Sequence, residues 1–228
     1  MKKSTVKLAI PAFFYSLFSF FSKITGYIRD LFLALFLGTS TISDIFFIAF
    51  RLPNSFRRAL SEETFNPAYI PIYGKLSESN NPALKYQFTA KLFKFFSLIS
   101  VVLIIIAEVF MPQILSLFSY GFNDPNQQEI LVKTSRIMFP FLLVITLSAL
   151  LLGNLNANNK FAYSGVISSI LNIVIVLAIF TYESFIIQKI FFLAYAVILG
   201  GLLQVLLLFF LIDKDFWSVF FNSSKKEI

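Results

Sequence analysis

Apolar runs near or above about 18 residues recur along this 228-residue chain, and nothing else in it constrains the fold as strongly. Runs of that length cross a hydrocarbon core as helices, because each helix satisfies its own backbone N–H and C=O groups. Composition agrees: 57% of the residues are hydrophobic, 14% are charged and the mean hydropathy is +0.80. A soluble domain carries about 25% charged residues. The expected class is an all-α polytopic membrane protein.

Reading spans by apolar length predicts six transmembrane helices, at about residues 8–37, 42–60, 91–118, 131–153, 162–180 and 187–212, with a tail at 214–228. The opening "MKKSTVK" resembles a signal peptide, but the apolar run continues well past 15 residues and no A-x-A site follows. It is read as a first membrane helix that stays attached. That helix, about 45 Å long at 1.5 Å per residue, exceeds the ~30 Å hydrocarbon core and must tilt, kink or project, with Gly26 as its weak point. Pro53 frees one carbonyl in the second span and bends it. Residues 61–87 read as a polar link, and 38–41, 120–129 and 154–160 as turns or loops.

Charge placement gives the topology. Thirteen Lys/Arg fall on the N-terminal side: Lys2, Lys3, Lys7, Arg57, Arg58, Lys75, Lys85, Lys91, Lys94, Lys160, Lys214, Lys225 and Lys226. Three fall opposite: Lys133, Arg136 and Lys189. The positive-inside rule then puts both termini in the cytoplasm. The net charge of +7 sits in loops between spans rather than as a stripe on one soluble face, so no nucleic-acid partner is expected. Cys and His are absent, which removes disulfides, thiol nucleophiles and histidine acid–base or zinc chemistry. No P-loop, H-E-x-x-H, G-x-S-x-G or EF-hand pattern occurs, and neither enzymatic chemistry nor a cofactor is expected.

The exception to apolar spans is "SKITGYIRDLFLALFLGTSTISDIFFIAFRLPNSFRRALSEE", residues 22–63. Lys23, Arg29 and Asp30 together cost roughly 8–10 kcal/mol on insertion scales, about what an apolar span of ~20 residues gains. The first helix therefore needs neighbours or a water-filled cavity. Lys23 and Asp30, seven apart, stack on one side, whereas Arg29 points about 100° from Asp30 and is not expected to be its simple partner. Asp44, Ile48, Arg51, Ser55 and Arg58 share a face of the second helix, and Arg57 projects elsewhere. Pairing between the two helices or snorkelling accounts for single charges. It does not account for the set, because five cations (Lys23, Arg29, Arg51, Arg57, Arg58) face two anions (Asp30, Asp44). A cationic surplus inside a membrane cavity suits a phosphate group. Glu108 is read as an interfacial, snorkelling carboxylate, and Arg136 with Pro140 as a helix start. The small-residue runs "SALLLGNLNANN" and "AYAVILGG" suit close helix packing.

Three segments carry a family resemblance: "SKITGYIRDLFLALFLG", "SDIFFIAFRLPNSFRRALSEETFNPAYIPIY" and, more loosely, "FPFLLVITLSALLLGNLNANNKF". They resemble the MurJ (MviN) family, lipid II flippases of the multidrug/oligosaccharidyl-lipid/polysaccharide exporter superfamily. The specific part is D-x-F-F-x-A-F-[KR]-L-P-N-x-x-R-R followed by E-x-x-F-x-x-A-x-x-P. The resemblance implies translocation of lipid II, the undecaprenyl-pyrophosphoryl disaccharide-pentapeptide, from the cytoplasmic to the periplasmic leaflet by alternating access. It implies pyrophosphate binding by Arg29 and Arg57, with Lys23 where the family usually has Arg. It gives Asp44 a gate role and matches Glu62 to the acid after the arginine pair, while Glu63 departs from the usual Gly. The six helices correspond to one lobe of a two-lobe exporter, so the expected partners are lipid II, membrane lipids and a missing C-terminal lobe or a second chain. Related expectations are an exporter of another polyprenyl-linked glycan, or a non-transporting truncated membrane component.

Overall fold

The computed structural model describes residues 2–59, 65–79, 83–117, 122, 124–158, 160, 162–182 and 188–223, with residues 2–12, 14, 15, 66, 162, 164 and 221–223 described by backbone alone. In chain order the helices are α1 (Lys2–Leu37), α2 (Thr41–Arg57), α3 (Asn66–Ser77), α4 (Ala83–Ser116), α5 (Pro125–Met138), α6 (Phe141–Ala157), α7 (Ala162–Thr181), α8 (Lys189–Leu211) and α9 (Lys214–Ser223). No strand occurs among the described residues. Among the described residues three stretches are long and apolar enough to cross a membrane: Ala83–Ser116, Pro125–Ala157 and Lys189–Leu211, with Gly165–Thr181 a shorter apolar helix.

Prolines and caps set the boundaries. Pro140 cannot donate a backbone N–H, and the expected 131–153 span is divided there into α5 and α6. α5 begins earlier than apolar length indicates. Asp124 caps it by accepting the Asn126 backbone N–H at 2.9 Å, and Pro125 takes the first helical position. Pro112 bends α4, whose Phe110 leaves helical geometry at φ −100°, ψ 17°. α1, by contrast, runs unbroken through Gly26, so the predicted weak point is not used. At about 54 Å for its 36 residues, α1 outruns the hydrocarbon core without a break. α1 ends at Gly38, whose φ of +69° is open to glycine and costly for other residues, and whose N–H donates to the Ala34 carbonyl at 2.9 Å.

The stretch expected as a polar link holds α3. Tyr69 and Tyr73, four apart, lie on one face and are fully buried against α4 and α6. Their hydroxyls explain why a polar-looking segment packs. Tyr69 Oη lies 2.9 Å from Thr89 Oγ1 and accepts Asn154 Nδ2–H at 2.9 Å, and Asn158 Nδ2–H donates to Tyr73 Oη at 3.0 Å. Burial pushes the Tyr69 phenol well above its ordinary 10.0, against the opposing hydrogen bonds from Thr89 and Asn154, and pushes Tyr73 the same way. α9, within the expected tail, also packs: Phe216 is buried, and Trp217 donates Nε1–H to the Phe209 carbonyl at 3.1 Å.

Two apolar cores hold the helices. One knits the C-terminal end of α1 to α2, the kinked part of α4, α5 and the starts of α6 and α8. The other knits α3, the first half of α4, the ends of α6 and α8, the start of α7, and α9. Small residues allow the closest approaches. A Cβ on Gly165 would overlap the Phe18 backbone, locking α7 against α1, and one on Gly201 would overlap the Phe141 ring.

Candidate functional site

α1 packs along α7, while α2 packs on α5 and α6. From the Gly38 turn the two charged helices therefore diverge, and they barely touch each other. The space between them is a cavity of about 1080 Å³. Its walls are Gly26, Arg29 and Asp30 of α1, and Phe47, Phe50, Arg51, Asn54, Ser55 and Arg57 of α2 with the adjoining Arg58. The floor comes from α6, α7 and α8, including Ser148, Ser168, Asn172 and Gln204.

Four of the five cations proposed from sequence line this cavity, facing one carboxylate among the described residues, Asp30. Arg51, Ser55 and Arg58 line it together, as helical spacing predicts. Arg57, expected on another side, lines it too. The cavity wraps around α2 far enough to take the adjacent Phe47–Phe50–Asn54–Arg57 row as well. Arg51 and Arg58 are exposed, and no hydrogen bond or ion pair among the described residues holds either guanidinium group.

Arg29 corrects one expectation. It pairs with its neighbour Asp30, donating Nε–H at 3.0 Å and Nη2–H at 2.7 Å to Oδ1. The 100° offset at the backbone is overcome by the length of the arginine side chain, which folds back across it. Its Nη1–H donates to Asn172 Oδ1 at 2.8 Å, and its guanidinium carbon lies 5.9 Å from the Phe50 ring centre. Lys23 is exposed on α1, outside the cavity lining and with no ion pair to Asp30. Asp44 is exposed in the first turn of α2, where a carboxylate complements the helix dipole. Glu62 lies outside the described residues. Glu108 of α4 faces Arg136, which sits in the last turn of α5 rather than at a helix start; Oε2 and Nε are 3.9 Å apart.

Sequence reading missed the uncharged part of the site: Asn54, Ser148, Ser168, Asn172 and Gln204. Gln204 Nε2–H donates to the Ile167 carbonyl at 2.8 Å, and the buried Ser148 Oγ has no partner among the described residues. One asparagine or glutamine within an apolar span is the only signal for such positions, since a buried amide demands a partner. Among the described residues no three His, Cys, Asp or Glu come together as metal ligands. The arrangement is a binding surface: guanidinium groups for phosphate oxygens, with amides and hydroxyls beside them for polar substituents.

A family profile described as "Lipid II flippase MurJ" matches residues 33–226. The chain belongs to the MurJ family. A probable lipid II flippase MurJ from Buchnera aphidicola subsp. Acyrthosiphon pisum (strain APS) is 35% identical over 202 residues, which is 88% of this chain and 40% of that relative. One from Rickettsia prowazekii (strain Madrid E) is 32% identical, covering 86% of this chain and 38% of its own length. This MurJ-family chain thus spans about 40% of the length of the curated relatives it matches. A solved structure described as lipid II flippase MurJ in an inward closed conformation superposes with a TM-score of 0.73 at 28% identity, covering 91% of this chain and 46% of that one. A MOP superfamily transporter from Pyrococcus furiosus shares the fold, with a TM-score of 0.63 at 14% identity over 91% of this chain and 44% of that one.

Proposed function

We propose that this chain forms one lobe of a lipid II flippase and that the cavity between α1 and α2 receives the pyrophosphate of the substrate. The observation that carries this reading is the lining: among the described residues, Arg29, Arg51, Arg57 and Arg58 stand around a single carboxylate, in a cavity floored by amides and hydroxyls. A guanidinium presents paired N–H donors that match phosphate oxygens, and each charged hydrogen bond is worth about 1.5–3 kcal/mol. The reaction is translocation from the cytoplasmic to the periplasmic leaflet by alternating access, with no covalent step. Lys23 meets the headgroup as it approaches along α1. Asp44 and Glu62 act at gates or in ion pairs.

In this reading the lobe contains six membrane crossings, with α5 and α6 together making one, and α3 and α9 lying at the cytoplasmic side. Both termini are cytoplasmic in this reading, which the distribution of Lys and Arg supports, in the bacterial inner membrane. The opposite wall of the cavity comes from a second lobe or a second chain, and membrane lipids surround the rest.

The test is protection of lipid II from an external probe in cells that depend on this protein. Arg29→Ala and Arg57→Ala are each expected to lower flipping at least tenfold, the loss of about 1.4 kcal/mol or more. Undiminished flipping in both variants contradicts the assignment. If the second wall is required, the 228-residue chain alone fails to rescue flippase-depleted cells and does so when the second lobe is co-expressed.

A further inference from the structure

We infer that Asn172 of α7 is a positioning residue for the phosphate-binding arginine Arg29, acting through a chain of hydrogen bonds whose direction is fixed at every link. The inference rests on the pyrophosphate reading above. Arginine can only donate, so the Asn172 amide must present Oδ1 to Arg29 Nη1, as it does at 2.8 Å. Its Nδ2–H then needs an acceptor and finds Thr25 Oγ1 at 3.2 Å. Thr25 can accept because its own hydroxyl proton is committed to the Ser22 carbonyl at 2.9 Å. The order Arg29 to Asn172 to Thr25 to Ser22 therefore admits one orientation of the amide.

This chain holds Arg29 to a frame rather than to a mobile group. Asn172 is 5% exposed, whereas the Asp30 side chain is 57% exposed and sits on the same helix as Arg29. α7 in turn is locked to α1 at Gly165, where no side chain fits against Phe18. Three of the five guanidinium N–H groups are taken, two by Asp30 and one by Asn172. The remaining two, one on each terminal nitrogen, have no partner among the described residues and can donate to a phosphate oxygen. Without Asn172, Arg29 keeps its charge but not its aim.

The test is inorganic pyrophosphate binding to the full chain in phosphatidylcholine nanodiscs, measured by calorimetry for a double-mutant cycle. Asn172→Ala is expected to weaken binding about tenfold, the effect of about 1.4 kcal/mol for one charged hydrogen bond. Arg29→Ala/Asn172→Ala is expected to bind no more weakly than Arg29→Ala, because the amide acts only through the arginine. Thr25→Val, which removes the strut behind Asn172 with little change of shape, gives a smaller loss that also vanishes in the Arg29→Ala background. It serves if Asn172→Ala does not fold. Wild-type affinity in Asn172→Ala, or the same loss repeated on top of Arg29→Ala, overturns the positioning role alone. Wild-type affinity in Arg29→Ala overturns the pyrophosphate reading and this inference with it.

Discussion

Arg29 shows how one residue meets two demands. A guanidinium packed between helices must be hydrogen-bonded, and Asp30 and Asn172 do that with three of its five N–H groups. Glycine at 26 keeps the neighbouring space clear, since a Cβ there would lie 3.6 Å from Asn172 Nδ2. Alanine is tolerated at that distance and a larger side chain is not. Gly26→Leu is accordingly expected to displace Asn172 and lower pyrophosphate affinity, with Gly26→Ala close to wild type in the same calorimetric assay. Tyr69 makes a separate prediction. Tyr69→Phe strands the buried Asn154 amide, at a cost of about 1–3 kcal/mol, seen as a lower unfolding temperature. Its phenol titrates higher in the folded chain than the unfolded value of 10.0. The folded state thus holds a proton that the unfolded state releases, so this contribution to stability is intact below pH 10 and falls as pH rises through the folded value. Tyr69→Phe should flatten that alkaline loss.

At the scale of helices, the sequence was most legible where length and apolar content decide, as in α4 and α8. The breaks were legible only in part. Pro53 lies inside the unbroken α2 and Pro112 beside the kink in α4, whereas Pro140, with Phe139 before it, separates α5 from α6. Which of these a proline causes depends on whether neighbouring helices can hold the bend. α3 escaped detection because its buried face is made of tyrosines, whose hydroxyls read as polar until Asn154, Asn158 and Thr89 are found around them. In the candidate site the charges were legible, and their pairing was not, because spacing fixes where a Cβ points and not where a long side chain ends. Asn172 was invisible for a different reason: its role depends on contact between α1 and α7, about 140 residues apart in sequence. That contact has its own test. Gly165→Leu should force α7 away from α1, lowering the unfolding temperature by the cost of an overpacked contact, about 1–3 kcal/mol. The same substitution at Gly74, where nothing lies within 4 Å, should change it far less.

For the whole molecule, the separation of α1 from α2 creates the cavity, and the two cores at either end keep it open. Gly38 starts that divergence, and Gly38→Ala should cost about 1–2 kcal/mol because alanine does not favour φ of +69°. The cationic lining of that cavity is proposed to bind the pyrophosphate group of lipid II. The most direct measurement is the affinity of the chain in nanodiscs for lipid II and for a lipid-linked disaccharide-peptide lacking the pyrophosphate. Lipid II is expected to bind tightly, at least tenfold more weakly in Arg57→Ala, with little binding of the uncharged analogue to either protein. Equal affinity for the two lipids, unchanged by Arg57→Ala, would contradict it.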